Sequence, residues 1–335
     1  MTPDLRTGYL GLTLKNPVVI SACPLTERID TLQKLEEHGA AAAVFPSLFE
    51  EQIEREEMEL HGLYETGAET YGESLSYFPD MVDYNAGSTN YLRMLELAVQ
   101  SVGIPIIGSL NGVSRGGWVR FARSIEDAGA AALELNVYGI FPDPARTAAD
   151  VEAELVDLVT AVRERISIPL AVKLPPFFTA FANLATRLAD AGADGLVLFN
   201  RFVHADIDLD TLRVAPNLVL SEPFESRLPL MWVALLRGRV SASLAATSGV
   251  HAPADVVKLL LSGADVTMTA SAIYRRGPEH VRTLVSGLSA WMTENEYDSV
   301  EQMKGSLSHA HAPDPGVFER VGYMRTLASF SRWMP

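Results

Sequence analysis

Polar side chains at the ends of apolar segments are the residues of this chain best placed to do chemistry. Lys173 lies near the end of the apolar segment 169–174, and a lysine is almost never fully buried unless it is paired. A cation there suits a bound anion, or a ring that gains negative charge on reduction. The alternative is a lysine that pairs with a structural carboxylate such as Glu134.

Two asparagines give a second signal of the same kind. Asn136 and Asn200 each end another apolar segment, and an amide offers both donors and an acceptor to the edge of a heterocycle. A single asparagine at a strand end is usually a turn former. Two of them, together with Lys173, favour a binding site.

The segment 240–277 predicts a phosphate-binding site. It contains two short predicted strands, which end at Ser248-Gly249 and at Ala270-Ser271, with a predicted helix between them. Small residues let backbone N–H groups approach a ligand closely, and N–H groups collected at such turns bind anions. Two consecutive parallel strands that end in this way are typical of a (β/α)8 barrel. The alternative is a plain βαβ unit whose small residues serve packing.

These residues meet in one site only if their strands belong to one parallel sheet. Apolar segments alternate with amphipathic ones, and we predict strands at 16–23, 41–45, 104–110, 131–137, 169–174, 195–200, 241–247 and 265–270. Eight strands that alternate with helices predict a (β/α)8 barrel, in which the C-terminal strand ends face the active site. An open doubly wound sheet is the alternative, and no G-x-G-x-x-G turn supports it.

Two segments interrupt this alternation. Residues 50–89, first acidic and then rich in Gly, Tyr and Ser, follow the second predicted strand, and residues 201–228 follow the sixth. We predict that both are excursions at the catalytic face of the barrel. Residues 1–335 are expected to form a single domain, with a C-terminal extension from about residue 296.

Composition excludes several classes of partner. The net charge of −15 argues against nucleic acid or an anionic membrane, which both need a basic surface. No apolar run is long enough to span a membrane, and the N-terminus lacks the apolar core of a signal peptide, so we expect a cytoplasmic protein that binds a small molecule. Cys23 is the one cysteine, and no histidines have ligand spacing, so we expect no metal site.

The predicted strand ends and the turns that follow them define a candidate site. We expect its ligand-binding residues to be Ser21, Ala22, Cys23, Ser47, Ser109, Asn136, Lys173, Asn200, Ser226, Ser248, Gly249, Ala270 and Ser271. The position of Cys23 at a strand end suggests a nucleophile. A lone cysteine is, however, more often an inert small core residue.

Several of these residues lie in motifs that carry a resemblance. The motifs are N-P-V-V-I-S-A-C at 16–23, E-L-N at 134–136, V-K-L-P-P-F-F at 172–178, T-S-G-V at 247–250 and A-S-A-I-Y-R-R-G-P at 270–278. In type and in order they resemble the soluble class of the dihydroorotate dehydrogenase family, which are FMN-dependent (β/α)8 flavoproteins. The resemblance covers nearly the whole chain.

The resemblance implies an FMN whose ring lies in the mouth of the barrel. Ser21 and Ala22 would line the ring, and Lys173 would approach its N1/O2 edge, where reduced flavin carries negative charge. Asn136 and Asn200 would bind the polar edge of the ring and the substrate. Gly249, Ala270 and Ser271 would hold the phosphate. A homodimer is also implied by the resemblance.

The sequence departs from the family at the residues that handle dihydroorotate. Pro46 stands where the family has a lysine, and F-E-S-R-L at 224–228 replaces paired glycines. N-V-Y-G-I-F at 136–141 replaces N-L-S-C-P-N, so the position of the family's catalytic Cys or Ser falls on Gly139 or Ile140. The asparagine loop that grips orotate is replaced near E-S-L-S-Y-F-P-D at 73–80.

We therefore expect an FMN-dependent oxidoreductase that acts on the CH–CH bond of a small cyclic or unsaturated substrate other than dihydroorotate. Hydride would pass between flavin N5 and a substrate carbon. Tyr138 would supply the proton, since a phenol is a better acid than base near neutral pH; Tyr77 and Ser76 are alternatives. An apolar pocket is expected from Phe141, Phe177 and Phe178.

Three other functions are compatible with the same residues. One is a true dihydroorotate dehydrogenase of pyrimidine biosynthesis. A second is a tRNA dihydrouridine synthase-like reductase, against which the charge of −15 counts. The third is a non-catalytic flavin-binding or electron-transfer subunit that serves a redox partner protein.

Overall fold

Buried apolar segments of the sequence become the strands of a closed barrel. The computed structural model describes residues 2–53, 87–112, 118–201 and 204–330. Its strands are β1 (Thr7–Tyr9), β2 (Leu12–Leu14), β3 (Val18–Ile20), β4 (Ala42–Phe49), β5 (Ile106–Gly112), β6 (Ala132–Val137), β7 (Leu170–Leu174), β8 (Gly195–Leu198), β9 (His204–Asp208), β10 (Arg213–Asn217), β11 (Ser243–Thr247) and β12 (Val266–Thr269).

Eight of these strands are parallel and close on themselves in the order β11-β12-β3-β4-β5-β6-β7-β8. Each of the eight predicted strands overlaps one of them. The prediction of a (β/α)8 barrel with excursions after its second and sixth strands is confirmed. The main helices are Ile29–Glu37, Gly87–Ser101, Trp118–Asp127, Ala148–Arg163, Phe181–Asp190, Arg227–Leu236, Pro253–Ser262, Ser271–Arg276, His280–Glu294 and Arg320–Phe330.

The helix Ala148–Arg163 shows how the outer layer is specified. Thr147 and Asp150 form a reciprocal capping box that starts it. Its buried residues recur at helical spacing and face the sheet: Val151, Leu155, Leu158, Val159 and Val162.

A hairpin that the sequence did not predict fills the barrel interior. β1 and β2 pair antiparallel, and Tyr9 and Leu10 at their turn are buried against the inward-facing side chains of the barrel strands. Many of those side chains are alanines, which leaves room for the hairpin. A side chain on Gly195 would collide with Leu10. The hairpin β1–β2 therefore requires a glycine at the start of β8.

The excursion after β8 begins as a second antiparallel hairpin, β9–β10, whose apolar residues Ile207, Leu209 and Leu212 are exposed. Residues 54–86 of the first excursion, and with them Ser76 and Tyr77, lie outside the described residues.

The C-terminal segment is bonded to the barrel rather than detached from it. Gly305 N–H donates to Leu260 O (2.9 Å) and Leu307 N–H donates to Leu261 O (2.9 Å). The buried Lys304 ammonium lies 2.9 Å from the Asp265 carboxylate. Among the described helices, none is both long and apolar enough to cross a bilayer.

Tyr91 anchors β5 from the helix Gly87–Ser101. Its hydroxyl accepts from Ser109 N–H (3.1 Å) and donates to Ser109 O (3.0 Å), and the side chain is fully buried. Because β5 carries part of the barrel mouth, this pair of bonds couples an outer helix to the site.

Tyr91→Phe should therefore lower the free energy of unfolding by about 1–3 kcal/mol, because it leaves a buried N–H and a buried C=O without their partner. Chemical denaturation measures the change. Tyr323→Phe is the matched control, since Tyr323 is exposed, and it should leave stability unchanged within about 0.5 kcal/mol. Equal effects of the two variants would contradict the assignment.

Candidate functional site

A cavity of about 660 Å³ opens at the C-terminal ends of the barrel strands. All eight barrel strands contribute to its wall, directly or through the residues that follow them. Of the residues predicted from the sequence, those that line it are Ser21, Ala22, Cys23, Ser47, Asn136, Tyr138, Lys173, Asn200, Ser248, Gly249, Ala270 and Ser271.

Two predicted site residues, Ser109 and Ser226, do not line the cavity. Ser109 is fully buried beneath it, where its hydroxyl bonds to that of Ser47 (2.8 Å). The Ser226 hydroxyl donates to Pro223 O (2.7 Å). Neither side chain is part of the cavity wall, so their predicted contact with the ligand stays a prediction.

Lys173 lies in the cavity and is also paired. Its Nζ is 3.5 Å from Oε1 of Glu134, and both side chains are almost wholly buried. The second carboxylate oxygen of Glu134 has no hydrogen-bond partner among the described residues. The lysine therefore offers its remaining donors to the cavity while one buried carboxylate offsets part of its charge.

The two asparagines meet each other. Asn200 Nδ2 donates to Asn136 Oδ1 and, at 3.4 Å, to Val137 O. This bond fixes the orientation of both amides, and leaves the Asn136 amide nitrogen and the Asn200 oxygen to face a ligand. On the opposite side, the hydroxyls of Ser21 and Thr247 bond at 3.1 Å.

The turn after β11 has the backbone conformation that a close approach needs. Ser248 and Gly249 have φ of 77° and 74°, in the left-handed region where glycine is favoured. A side chain on Gly249 would also collide with the backbone nitrogen of Ser226. The glycine is thus required twice over, by conformation and by packing.

Sequence reasoning missed one wall of the cavity. It is formed by Phe199 and Arg201 beside Asn200, by residues 218–221 of the second excursion, and by Tyr274. Arg201 Nε donates to Val219 O (2.6 Å) and its Nη1 pairs with Glu225 (2.8 Å). No periodicity marks such a loop, although Arg201 directly follows a predicted site residue.

None of the three phenylalanines expected in an apolar pocket lines the cavity. The Phe141 ring lies 5.0 Å from the guanidinium of Arg146, Phe177 is exposed and Phe178 packs on Phe181. The apolar lining comes from Phe49, Phe199, Leu218, Val219, Leu220 and Met268 instead.

The described residues contain no cluster of three or more His, Cys, Asp or Glu side chains that could hold a metal ion. Cys23 lines the cavity, and burial raises the pKa of its thiol. A thiol with a raised pKa remains protonated near neutral pH, so Cys23 is neither an activated nucleophile nor a ready base.

Comparison with known proteins agrees with this geometry. A sequence model of the dihydroorotate dehydrogenase family matches residues 61–292, more than half of the chain. The chain belongs to this family.

Curated relatives in the family match along most of their length. The catalytic subunit of dihydroorotate dehydrogenase B (NAD(+)) of Thermoplasma acidophilum is 26% identical over 306 residues, which cover 90% of this chain and 98% of the relative. The subunit of the same name from Methanothermobacter thermautotrophicus is 27% identical over 312 residues, covering 91% and 98%. That from Methanosarcina acetivorans is 25% identical over 314 residues, covering 89% and 94%.

As a member of this family the protein is an FMN-dependent oxidoreductase of CH–CH bonds. The cavity fits that cofactor. Its volume of about 660 Å³ lies within the usual range of ligand pockets. A buried cation at the end of β7, two fixed amides at the ends of β6 and β8, and a left-handed glycine turn after β11 suit the ring and the phosphate.

We predict one tightly bound FMN per chain, released by heat as a yellow supernatant that absorbs near about 450 nm. Gly249→Ala should lower the flavin content several-fold, because the added methyl group would collide with the backbone of Pro223 and Ser226 and so shift the turn. Gly238→Ala is its control: Gly238 also has a positive φ, 78°, but nothing lies within 4 Å of an added Cβ. Colourless, well-folded wild-type protein after addition of FMN would refute the prediction.

Lys173→Ala should weaken FMN binding by on the order of 10- to 100-fold, or lower the reduction potential of the bound flavin, because charge-assisted hydrogen bonds contribute about 1.5–3 kcal/mol. Removing the lysine also leaves Glu134 unpaired, which destabilises the fold. The double variant Lys173→Ala/Glu134→Gln separates the two effects, since it should recover stability and not flavin affinity. Unchanged affinity and potential in the double variant would make Lys173 purely structural.

Proposed function

We propose that this enzyme reduces an activated carbon–carbon double bond in a small cyclic or unsaturated substrate, and that dihydroorotate is a poor substrate for it. The proposal goes beyond family membership, which establishes the oxidoreductase class. It is supported by the acid–base groups that the cavity holds.

The observation that carries it is the segment after β6. Tyr138 lines the cavity. The two residues at which the catalytic Cys or Ser of the resembled family would fall do not line it: Gly139 has no side chain, and Ile140 is 66% exposed. Tyr138 is therefore the one group of this segment that can exchange a proton with a substrate.

The described part of the cavity wall offers few other groups that could act as a base. Among the described residues that line it there is no carboxylate and no histidine, and the Cys23 thiol is held protonated by burial. Removal of a proton from a dihydropyrimidine carbon needs a base within about 3 Å. The described wall thus favours proton donation to a product over proton removal from a dihydro compound.

The residues of this chain have distinct parts in such a reaction. Bound FMN supplies the hydride chemistry. Asn136 and Asn200, held by their mutual bond, would orient the substrate, and Lys173 would stabilise negative charge on the reduced cofactor. Phe199 and the apolar residues 218–220 would cover the bound ring. The Tyr138 hydroxyl donates the proton that completes reduction.

The second candidate is a true dihydroorotate dehydrogenase. It is favoured by the names of the relatives, and by the matched regions, which cover 94–98% of the length of each relative. In that case the base would be a serine of the cavity wall or a residue outside the described ranges, such as Ser76 or Tyr77.

Two assemblies are also proposed. The relatives are named catalytic subunits, which supports a second, electron-transferring subunit as the redox partner. The exposed apolar residues of the β9–β10 hairpin support a homodimer. Sedimentation of the purified chain, alone and with a candidate partner, distinguishes the two.

Stopped-flow mixing tests the proposed reaction. We expect dihydroorotate to bleach the oxidised protein more slowly than about 1 s⁻¹, below the usual enzyme range, and 2-cyclohexenone to reoxidise the reduced protein. Tyr138→Phe should slow that reoxidation by about 10²- to 10⁴-fold.

Tyr297→Phe is the control for that variant, because Tyr297 stacks on Trp291 and does not line the cavity. Bleaching by dihydroorotate at about 1 s⁻¹ or faster would instead establish a true dihydroorotate dehydrogenase.

A further inference from the structure

His251 follows the glycine turn after β11, and the fold holds it rigidly. It is 3% exposed. Its backbone N–H donates to the Asp255 carboxylate (3.0 Å), and its backbone oxygen accepts from Nε2 of His280 (2.8 Å). These bonds hold the backbone of His251 beside the turn.

The ring reaches the predicted phosphate-binding turn through one hydroxyl. His251 Nε2 lies 3.2 Å from Ser221 Oγ, and Gly249 N–H donates to that same oxygen (3.3 Å). Ser221 N–H in turn donates to Ser271 Oγ (3.0 Å). Ser221 therefore stands between the imidazole and two residues predicted to hold the phosphate.

We propose that His251 is a positioning residue for the flavin phosphate, which acts through the Ser221 hydroxyl and takes up one proton from solvent when the phosphate binds. The inference rests on the proposed placement of FMN, with its phosphate beside Gly249 and Ser271.

The proposed effect depends on the direction of the hydrogen bond between His251 Nε2 and Ser221 Oγ. When His251 accepts through Nε2, the Ser221 hydroxyl must give its hydrogen to the ring, and its oxygen faces Gly249 N–H. When a proton is added at Nε2, the ring becomes the donor, and the Ser221 hydrogen is free to turn to a phosphate oxygen. If Nδ1 carries the hydrogen of the neutral ring, one proton from solvent at Nε2 therefore converts Ser221 into a phosphate donor.

The groups around the His251 ring determine how FMN affinity changes with pH. Burial lowers the pKa of His251, and the positive charge of Arg275 lowers it further; a hydrogen bond to the Ser221 backbone and the charges of Asp255 and Glu222 act in the opposite direction. Arg275 and Glu222 are themselves paired at 2.6 Å, and the His280 ring bonds to the backbone oxygen of His251. A phosphate dianion nearby raises the pKa again, so between the two pKa values binding consumes a proton and FMN affinity increases as pH falls.

The test compares FMN with riboflavin, which has the same ring and no phosphate, on the full-length chain freed of flavin. Quenching of flavin fluorescence gives Kd from about pH 8.5 to about pH 6.5, where a phosphate monoester stays largely dianionic. We expect the Kd of FMN to fall on the order of tenfold as pH falls, and the Kd of riboflavin to stay constant.

Two variants separate positioning from packing. His251→Gln keeps a neutral bonding group near Ser221, so it should retain FMN affinity at the high-pH limit and lose the pH dependence. Ser221→Ala removes the hydroxyl and should lose the dependence as well, which provides a second reading if one variant folds poorly. His311→Gln is the control, because His311 bonds to Ser308 and Gly305 in the C-terminal segment, and it should keep the wild-type slope.

A wild-type slope in both His251→Gln and Ser221→Ala, or an equal slope for riboflavin, would overturn the inference while leaving the proposed function intact. Failure of the wild-type protein to bind FMN at any pH would overturn the proposed function itself.

Discussion

Closure of the sheet between β12 and β3 is the constraint on which the whole site depends. Thr267 pairs with Val18 and Thr269 with Ile20, and Ser21 N–H continues the ladder by donating to Thr269 O (3.0 Å). Because the strands are parallel, closing the ring brings the C-terminal ends of all eight to one mouth. Residues some 250 positions apart in the chain thereby become neighbours in one cavity.

Within that mouth, Lys173 satisfies both of the interpretations that the sequence allowed. The sequence suggested either an anion-binding lysine or one paired with Glu134. The structure has the lysine paired with Glu134 at 3.5 Å and lining the cavity. A buried carboxylate therefore offsets part of the charge that this lysine presents to the cavity.

The strand ends could be predicted because the strands are continuous apolar runs, so that Asn136 and Lys173 stand out where these runs stop. The depth at which a side chain lies within the barrel could not be predicted in the same way. Ser109 and Asn111 alternate to the same face of β5, yet Ser109 is buried one layer beneath the cavity and Asn111 lines it. A pattern with a period of two gives the face of a strand and not the layer.

The parts of the site that the sequence did not indicate are those that depend on contacts between distant segments. Arg201 and residues 218–221 reach the cavity because an arginine holds the carbonyl of Val219 across the loop, which leaves no periodic trace. The prediction that the phenylalanines after Lys173 line the cavity was wrong, because the chain turns outward once β7 ends at Leu174. The hairpin β1–β2 was missed because strands of three residues are too short to show alternation.

That hairpin has a consequence for how the protein is made. Tyr9 and Leu10 lie inside the barrel, and Asp4 beside them bonds to residues 298 and 300, so this segment is synthesised long before the residues with which it pairs. The barrel cannot close until β12 has been synthesised to join β3. Such a topology has a high contact order, which slows folding, and it exposes the edge of β3 during synthesis. We therefore expect the nascent chain of this enzyme to depend on chaperones until the barrel has closed.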